Sequence, residues 1–313
     1  MLPRKKPRET PASRPGQDAP EADAAERWTV GRLLTWTVEY LGKHGSQSAR
    51  LDAELLLAHA LDWERVRLYT KYEEEVAPAS RDRFRALVKQ RAAGSPVAYL
   101  LGRKEFYSLM LSVTPDVLIP RPDSEHVVVE FLAATKDMTS PLCVDVGTGS
   151  GCLALACLKH HATARFVVID SSAAAVEVAR TNAAALQLED RVEFRVGDKL
   201  DAVAGAARFD AIISNPPYIA TDEIETLDPT VRLHEPREAL DGGVDGLRVI
   251  EPLIGQAAGV LRPGGVFIVE IGAGQEGSVR TLLDAEPRFD LAPTVRDHAN
   301  RPRVLRATRR TAV

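Results

Sequence analysis

Residues 141–151 read PLCVDVGTGSG, and this stretch decides the fold. Its first six residues are mostly apolar and predict a buried strand, and a helix is predicted to begin directly after the glycines, at Cys152. Glycine allows a sharp turn and lets a ligand lie against main-chain N–H groups at the start of a helix. The stretch therefore predicts a strand–loop–helix unit that binds a nucleotide-type cofactor.

The same alternation continues toward the C-terminus. Short apolar segments that predict strands alternate with helical stretches, which indicates an α/β protein with a doubly wound, mostly parallel sheet. Strands are predicted at 141–146, 165–169, 191–196, 209–214 and 266–271, with weaker candidates near 289–296 and 302–308. Helices are predicted at 152–159, 173–186 and 246–260.

Upstream of this unit, the pattern between residues 28 and 94 is helical. Apolar residues recur there at the spacing of one helix face. Ser48 and Ser80 are predicted to be the N-caps of two of the helices, and Gly94 is predicted to end the last one. These residues predict a small helical domain, which by itself indicates no chemistry.

Two further segments flank the helical domain. Residues 97–113 contain two apolar, aromatic-containing parts on either side of Gly102, which predicts a β-hairpin with its turn near that glycine. Residues 1–27 hold five prolines and few apolar side chains, and basic residues give way to acidic ones. That composition predicts a disordered, solvated tail.

The composition of the 313 residues argues against several classes of protein. The formal charge is −4 and the pI is near 6.0, whereas avid binding to a nucleic-acid backbone needs a basic surface. No apolar run approaches the roughly 20 residues of a membrane helix. Cys143, Cys152 and Cys157 have neither disulfide nor zinc spacing, so we expect a reducing, cytoplasmic setting and no metal site.

Two carboxylates follow the second and third predicted strands. Asp170 lies at the distance from the glycine loop where such folds place an acid that binds ribose hydroxyls. The same residue could instead cap the helix that follows, and both roles can coexist. Asp198 is a candidate for contact with an adenine edge, although an ordinary loop aspartate explains it equally well.

The motif Asn215-Pro216-Pro217-Tyr218 directly follows the strand predicted at 209–214. This position is the carboxyl edge of the sheet, beside the glycine loop, where open α/β sheets bind ligands. Two successive prolines fix φ and remove two N–H donors, which leaves a rigid turn with its carbonyls pointing outward. The turn offers acceptors to a planar –NH₂ group, and Tyr218 offers a flat face to hold that group.

These motifs together resemble known proteins. DVGTGSG at 145–151, Asp170 and ISNPPYI at 213–219 resemble the class I S-adenosylmethionine-dependent methyltransferases that methylate amino groups. Further segments resemble the release factor glutamine methyltransferase family. They are YLLGRKEFYSL at 99–109, VLIPRPDSE at 117–125, HEPREALDGGVDGL at 234–247, GGVFIVEIGAGQ at 264–275 and DHANRPRV at 297–304. The resemblance covers about residues 28–308.

The resemblance implies a fold, a reaction and a partner. The fold is that of a class I methyltransferase, with a seven-stranded sheet and a helical domain joined to it by the hairpin. The reaction is methyl transfer from S-adenosyl-L-methionine to the side-chain amide nitrogen (N5) of the glutamine in the Gly-Gly-Gln motif of peptide chain release factors. We expect a monomer that binds neither nucleic acid nor a membrane directly. The implied division is a 1–27 tail, a 28–94 substrate-binding domain, a 95–118 hairpin linker and a 119–313 catalytic domain.

The family's cofactor residues map onto this sequence by motif. The residues that would cradle the cofactor's amino-acid end and ribose are Gly147, Thr148, Gly149, Ser150 and Gly151. Asp170 would bind the ribose hydroxyls, and Asp198 would contact the adenine. Some relatives place an aromatic residue after that aspartate, whereas this chain has Lys199, so the adenine contact stays open.

The family's substrate residues map onto the second motif. Asn215 would face both the cofactor and the substrate, and Pro216, Pro217 and Tyr218 would complete the glutamine pocket. The residues implied to act in catalysis are Asn215, Pro216 and Tyr218. The small helical domain and the hairpin would help to bind the protein substrate.

Other functions remain compatible with parts of this pattern. The motif N-P-P-Y also suits the adenine N6 or cytosine N4 amine of nucleic acid, although base flipping needs a clamp on the backbone. A glutamine of a ribosomal protein is an equally compatible substrate for the core. The alternative glycine frame from Gly149 to Ala154 suits an NAD-dependent oxidoreductase but leaves N-P-P-Y unexplained. A binding module without catalysis would not require both motifs.

Overall fold

The helical part of the predicted architecture comes first in the chain. The computed structural model describes residues 27–205 and 209–311, so nearly all of the tail predicted at 1–27 lies outside the described residues. Five helices and a two-stranded hairpin precede the sheet: α1 Val30–Lys43, α2 Ala49–Leu61, α3 Arg65–Thr70, α4 Pro78–Ala92, α5 Val97–Leu101, β1 Arg103–Phe106 and β2 Leu109–Ser112. The helices share a core of their own, centred on Leu34, Leu56 and Leu57.

The starts of α4 and α2 can be compared with the predicted N-caps. Helix α4 begins at Pro78, so Ser80 lies inside it, and the prediction that Ser80 caps it is wrong. Proline at the first helical position loses no hydrogen bond and has its φ already near the helical value. Ser48 is the N-cap residue of α2, as predicted, although its hydroxyl donates to Asp52 Oδ1 at 2.8 Å and does not bond a main-chain N–H.

The hairpin also lies further along the chain than predicted. Its turn is formed by Tyr107 and Ser108, whose φ values are 48° and 60°. A two-residue turn with both φ positive matches the twist of the strands it joins. Gly102, predicted to be near the turn, instead ends α5 at a φ of 66°, so the predicted turn position is wrong.

The remaining chain forms the α/β sheet. Its strands are β3 Leu142–Val146, β4 Arg165–Asp170, β5 Val192–Val196, β6 Phe209–Ser214, β7 Leu261–Glu270, β8 Phe289–Leu291, β9 Val295–Arg296 and β10 Pro302–Arg309. Its helices are α6 Glu125–Thr135, α7 Cys152–His160, α8 Ala173–Ala185, α9 Pro229–Arg232, α10 Ile250–Val260 and α11 Glu276–Ala285. The strand order is β5-β4-β3-β6-β7-β10-β8, with β9 also paired to β10.

The strand order confirms the predicted fold class. Strands β3 to β7 run parallel, and β10 is antiparallel to β7. The strand predicted near 289–296 is divided into β8 and β9, so the described sheet has eight strands rather than seven. Pro293 lies in the gap between them, and proline cannot donate to a strand ladder.

The buried strands divide their side chains between two cores. In β6, Ala211 and Ile213 face the core formed with α6, α7 and α8, whereas Ile212 between them faces the core formed with α10 and α11. Successive strand side chains point to opposite faces, so a strand covered on both sides has to be apolar throughout. This explains why the strands were visible as continuous apolar runs in the sequence.

The order of the strands also brings the two chemical motifs together. The chain leaves β3 toward β4 and β5, then returns to place β6 on the other side of β3. Ligands bind at such a reversal, in the crevice outside the carboxyl ends of the strands. The loop after β3 holds the glycines, and the turn after β6 holds Asn215. No helix of the described residues is long and apolar enough to cross a membrane.

Candidate active site

A cavity of about 670 Å³ lies at the carboxyl ends of the central strands. This volume is in the range of small-molecule sites. Its walls are formed by the segments 115–118, 146–150, 170–172, 197–199 and 214–217, with additional residues from 236–239 and 248–249. All the predicted site residues except Gly151 and Tyr218 line this one cavity.

The glycine loop has the backbone geometry that makes glycine necessary. Gly147, Gly149 and Gly151 have φ values of 69°, 54° and 80°, in the left-handed region that other residues rarely adopt. A Cβ added to Gly149 would meet no atom within 4 Å, so this part of the loop presents bare main chain to open space. A Cβ on Gly151 would instead lie 3.1 Å from Leu155 Cδ1, so this glycine allows close packing of α7.

Asp170 lies at the end of β4 and lines the cavity. Its Oδ2 accepts a hydrogen bond from the N–H of Gly149 and its Oδ1 accepts one from the N–H of Ser172, each at 2.9 Å. Burial raises its pKa, against the hydrogen bonds from the main chain. The N-cap of α8 is Ser172 rather than Asp170. Each carboxylate oxygen has a second lone pair, so Asp170 can accept further hydrogen bonds from a ligand.

Asp198 and Lys199 follow the end of β5 and also line the cavity. The ammonium group of Lys199 forms an ion pair with the exposed carboxylate of Asp198. Lys199 has a φ of 47°, and its side chain is largely covered. The structure therefore places a charged pair, rather than an aromatic ring, at this end of the cavity.

Asn215 and the two prolines after it form the wall beside the glycine loop. A Cβ on Gly147 would lie 4.0 Å from the main-chain oxygen of Asn215, which shows how closely the two motifs approach. The side-chain Nδ2 of Asn215 donates to Ser124 Oγ at 2.9 Å. No described residue donates to its Oδ1, so this acceptor is available to a ligand.

Tyr218 is the residue of the motif that is not among those lining the cavity. Its ring packs against the core beneath α10 and α11. Its hydroxyl is 3.5 Å from Glu270 Oε1, and its carbonyl accepts from Gln275 Nε2 at 3.0 Å. Burial, followed by the charge of Glu270, raises the pKa of Tyr218 to about 12. Tyr218 thus anchors the turn from behind in this structure.

Two buried acids near the site were not among the predicted residues. Asp145, at the end of β3, accepts from Thr148 Oγ1 at 2.7 Å, and its Oδ1 has no partner among the described residues. Glu270, at the end of β7, has an Oε2 that likewise has no described partner. Burial raises the pKa of each to about 7. In the sequence, each of these residues is an acid near the end of an apolar strand, and that pattern could have indicated both as candidate site residues.

Ser124 and the segment 115–118 were also missed. Ser124 lies at the start of α6, 91 residues before Asn215 in the chain. The segment follows the hairpin and forms a cavity wall, and Tyr99 of α5 donates to Val117 O at 2.6 Å. This hydrogen bond joins the helical region to the cavity. No sequence pattern at these residues indicated the contacts.

Comparison with protein families covers most of the chain. Residues 32–102 match a family described as "PrmC N-terminal domain", and residues 125–243 match the "Methyltransferase small domain". A protein of Pyrococcus furiosus whose crystal structure is titled as a methyltransferase has a TM-score of 0.50 and 16% identity, over 74% of this chain and 100% of that one. That similarity shows the fold alone.

Two curated relatives are similar along nearly their whole length. One from Rhodopirellula baltica is 40% identical over 282 residues, which is 89% of this chain and 95% of the relative. One from Moorella thermoacetica is 43% identical over 282 residues, which is 90% of this chain and 99% of the relative. Both carry the name release factor glutamine methyltransferase.

Proposed function

The chain belongs to the release factor glutamine methyltransferase family, and on this premise we propose that it methylates a glutamine side chain of peptide chain release factors. The methyl donor is S-adenosylmethionine, and the acceptor is the amide nitrogen of the glutamine in the Gly-Gly-Gln motif. The observation that carries the proposal is the Asn215 turn, which borders the glycine loop and keeps Asn215 Oδ1 available. An amide –NH₂ is the group that such acceptors recognise.

The cavity suits the cofactor on three observations. The glycine loop presents bare main chain to open space at Gly149, which leaves room for a ligand against the backbone. Asp170 keeps acceptor capacity for ribose hydroxyls. Asp145 Oδ1 is a buried acceptor with no described partner, in the strand end below the loop. When bound, S-adenosylmethionine supplies an electrophilic methyl group on a sulfonium.

The protein's contribution to the reaction is orientation and electrostatics. An amide nitrogen is a poor nucleophile because its lone pair is delocalised into the carbonyl. Asn215 Oδ1 and the carbonyl of Pro216 would accept its two N–H groups, turn the lone pair toward the methyl group and stabilise the positive charge that develops on nitrogen. Once the nitrogen carries the methyl group that the cofactor would supply, it would release one proton to water. This scheme requires no strong general base.

The helical region would hold the protein substrate. We assign this role to residues 28–94 and the hairpin that follows, with the catalytic domain at 119–313. Tyr99 and Val117 connect this region to the cavity wall. We further propose that the protein is a monomer that works in the cytoplasm and does not contact nucleic acid directly.

Mass spectrometry tests the reaction and the substrate together. Release factor is incubated with the protein and S-adenosylmethionine, next to a release factor in which the Gly-Gly-Gln glutamine is substituted. The expected result is a gain of one methyl group on the native peptide and none on the control. An unmodified native release factor, with cofactor binding intact by calorimetry, would contradict the proposal and direct the search to ribosomal-protein glutamines and nucleic-acid bases.

A further inference from the structure

We propose that Arg121 and Glu235 are positioning residues that hold two walls of the cofactor cavity together. The two residues do not line the cavity themselves, but the segments beside them do: residues 115–118 come shortly before Arg121, and residues 236–239 directly follow Glu235. This inference rests on one part of the proposed function, because it needs S-adenosylmethionine to bind in this cavity. It does not need release factor to be the protein substrate.

These two walls come from parts of the chain that lie outside the sheet. The wall at 115–118 follows the hairpin, between β2 and α6, and the wall at 236–239 lies between α9 and α10. The strand pairing of the described sheet does not include either segment. The hydrogen bonds of the sheet therefore do not set the distance between these walls, and a contact made by side chains can do so.

Glu235 makes such a contact with both oxygens of its carboxylate. Its Oε2 accepts a hydrogen bond from the main-chain N–H of Ile119 at 3.2 Å, and its Oε1 accepts one from Arg121 Nη2 at 2.5 Å. These partners lie 116 and 114 residues away in the chain. One carboxylate thus binds the main chain and a side chain of the segment that continues the first wall.

Burial makes this contact specific. The side chain of Glu235 is 1% exposed, so water does not compete for its hydrogen bonds, whereas that of Arg121 is 35% exposed. Removal of one partner from a buried ion pair is costly because it leaves a charge without compensation. Arg121 also lies between Pro120 and Pro122, whose rings fix φ and stiffen the chain on both sides. The pair therefore holds the two segments in one arrangement.

The first wall is held from its other side as well. The hydroxyl of Tyr99 in α5 donates to the carbonyl of Val117 at 2.6 Å. Contacts on both sides of the wall are thus in place before a ligand enters. A preorganised wall does not have to be ordered by the ligand, and this lowers the entropic cost of binding. Arg121 and Glu235 raise the affinity for the cofactor in this way, without touching it.

The test measures the affinity of full-length variants for S-adenosylhomocysteine by calorimetry, together with the Tm of each variant. Glu235→Gln keeps an acceptor for the N–H of Ile119 but removes the charge that binds Arg121. Arg121→Met removes the other partner of the ion pair. The double variant Arg121→Met/Glu235→Gln completes the set and shows whether the two side chains act as a unit.

Asp210→Asn is the matched control. Asp210 likewise accepts from a main-chain N–H, that of Leu142 at 2.6 Å, and forms an ion pair with an arginine, Arg262. Its side chain is nearly buried, but it lies at the start of β6, at the end of the strand opposite the cavity. This variant therefore breaks the same kind of contact without affecting a wall of the cavity.

The expected results separate positioning from a general loss of stability. Glu235→Gln and Arg121→Met each weaken the binding of S-adenosylhomocysteine by about 10-fold, the cost of ordering a few side chains on binding. The double variant loses no more than about 10-fold, because the second change has no contact left to remove. Asp210→Asn binds within about twofold of wild type, even where its Tm falls as far as that of Glu235→Gln.

Steady-state kinetics on release factor give a second readout. The KM for S-adenosylmethionine should rise by about 10-fold in Glu235→Gln and Arg121→Met, as the affinity falls. Because neither side chain is assigned to the reacting groups, kcat at saturating cofactor should stay within about threefold of wild type. This split between KM and kcat is not the result of partial unfolding, which lowers the amount of active enzyme and therefore kcat.

Three results would overturn the positioning role. They are wild-type affinity in Glu235→Gln and Arg121→Met, losses that multiply in the double variant, and a loss in Asp210→Asn equal to that in Glu235→Gln. If Glu235→Gln does not fold, Arg121→Met still decides the question, because it changes the more exposed partner. A wild-type protein that binds S-adenosylhomocysteine but leaves release factor unmodified contradicts the proposed substrate and not the role of this pair.

Discussion

At the scale of single residues, Asn215 carries the largest share of the proposed chemistry. Replacing it by alanine removes the acceptor for one substrate N–H while the prolines still form the turn. We expect Asn215→Ala to lower kcat by about 10²–10³, the effect of losing one preorganised polar contact. Steady-state kinetics on release factor measure this, with product affinity by calorimetry as the control for folding. A variant with near-wild-type turnover would refute the assigned role.

Asp170 and Asp198 offer a matched pair at the cofactor wall. Asp170 is buried and holds the N–H of Gly149, whereas Asp198 is exposed and paired with Lys199. Hydrogen bonds to charged groups contribute about 1.5–3 kcal/mol, so Asp170→Asn should weaken cofactor binding by about tenfold or more. Asp198→Asn should weaken it by about threefold or less. Calorimetric titration with S-adenosylhomocysteine compares the dissociation constants of the two variants. A larger loss of affinity in Asp198→Asn would show that the contacts at the adenine end contribute more to cofactor binding.

Asp145 makes stability depend on pH. Burial raises its pKa from 3.8 to about 7, so the folded protein binds a proton that the unfolded chain releases. Its contribution to stability is present below about pH 4 and is lost as the pH rises through about 7. We therefore expect the Tm values of wild type and Asp145→Asn to coincide below about pH 4, and that of Asp145→Asn to be higher at pH 8. Scanning calorimetry across this range measures both; parallel curves would contradict the prediction.

At the scale of elements, Asn182 of α8 holds the hairpin against the glycine loop. Its Oδ1 accepts from Ser112 N at 2.7 Å, and its Nδ2 donates to Ser112 O at 3.0 Å and to Ser150 O at 2.9 Å. The amide is buried and uses all three of these bonds, so it joins β2 to the cofactor loop through one side chain. No repeat or spacing in the sequence singled it out.

Loss of this amide should be costly. Asn182→Ala removes three hydrogen bonds and leaves the carbonyl of the buried Ser150 without a partner, at about 1–3 kcal/mol for an unsatisfied buried group. We expect the free energy of unfolding to fall by at least about 2 kcal/mol in urea denaturation. Thr181→Ala, an exposed position next to it on the same helix, is the control and should change little. A loss equal to that of the control would show that water replaces the amide.

The elements themselves were predicted with uneven success for physical reasons. The strands β3, β4 and β6 agree with the prediction to within one residue, because a strand buried on both faces is largely apolar. The edge strand β5 agrees as closely, because its apolar residues alternate with charged ones. The hairpin turn was misplaced because Gly102 suits a helix end as well as a turn. Tyr107 and Ser108 adopt positive φ although neither is glycine, so their composition gave no sign of the turn.

At the scale of the whole molecule, the proposed division of labour between two regions predicts how substrate length matters. A short Gly-Gly-Gln peptide fills the cavity but leaves the helical region without a contact. Binding energy from remote parts of a substrate can be used at the reacting centre, so kcat/KM should be at least about 100-fold lower for the peptide than for intact release factor. Steady-state kinetics on both substrates test this. Equal values would mean that residues 28–94 do not bind the substrate.

The amino-acid sequence by itself determined the sheet, the cofactor loop and the catalytic turn. These features are local: the alternation of apolar segments, the need for glycine at positive φ in Gly147 and Gly149, and two prolines after a strand act within a few residues of one another. In a doubly wound sheet the strand order reverses beside the first strand, which makes β3 and β6 neighbours. The two motifs that follow these strands therefore meet at one edge of the sheet.

Only the tertiary structure decided which polar side chains support the site at that edge of the sheet. Ser124 meets Asn215 across 91 residues, and Asn182 meets Ser112 across 70. The hydroxyl of Tyr218 meets Glu270 across 52 residues. Hydrophobic periodicity specifies which face of an element is buried, but it holds no information on which distant polar atoms meet there. Those contacts arise because most buried donors and acceptors find a partner once the chain is packed.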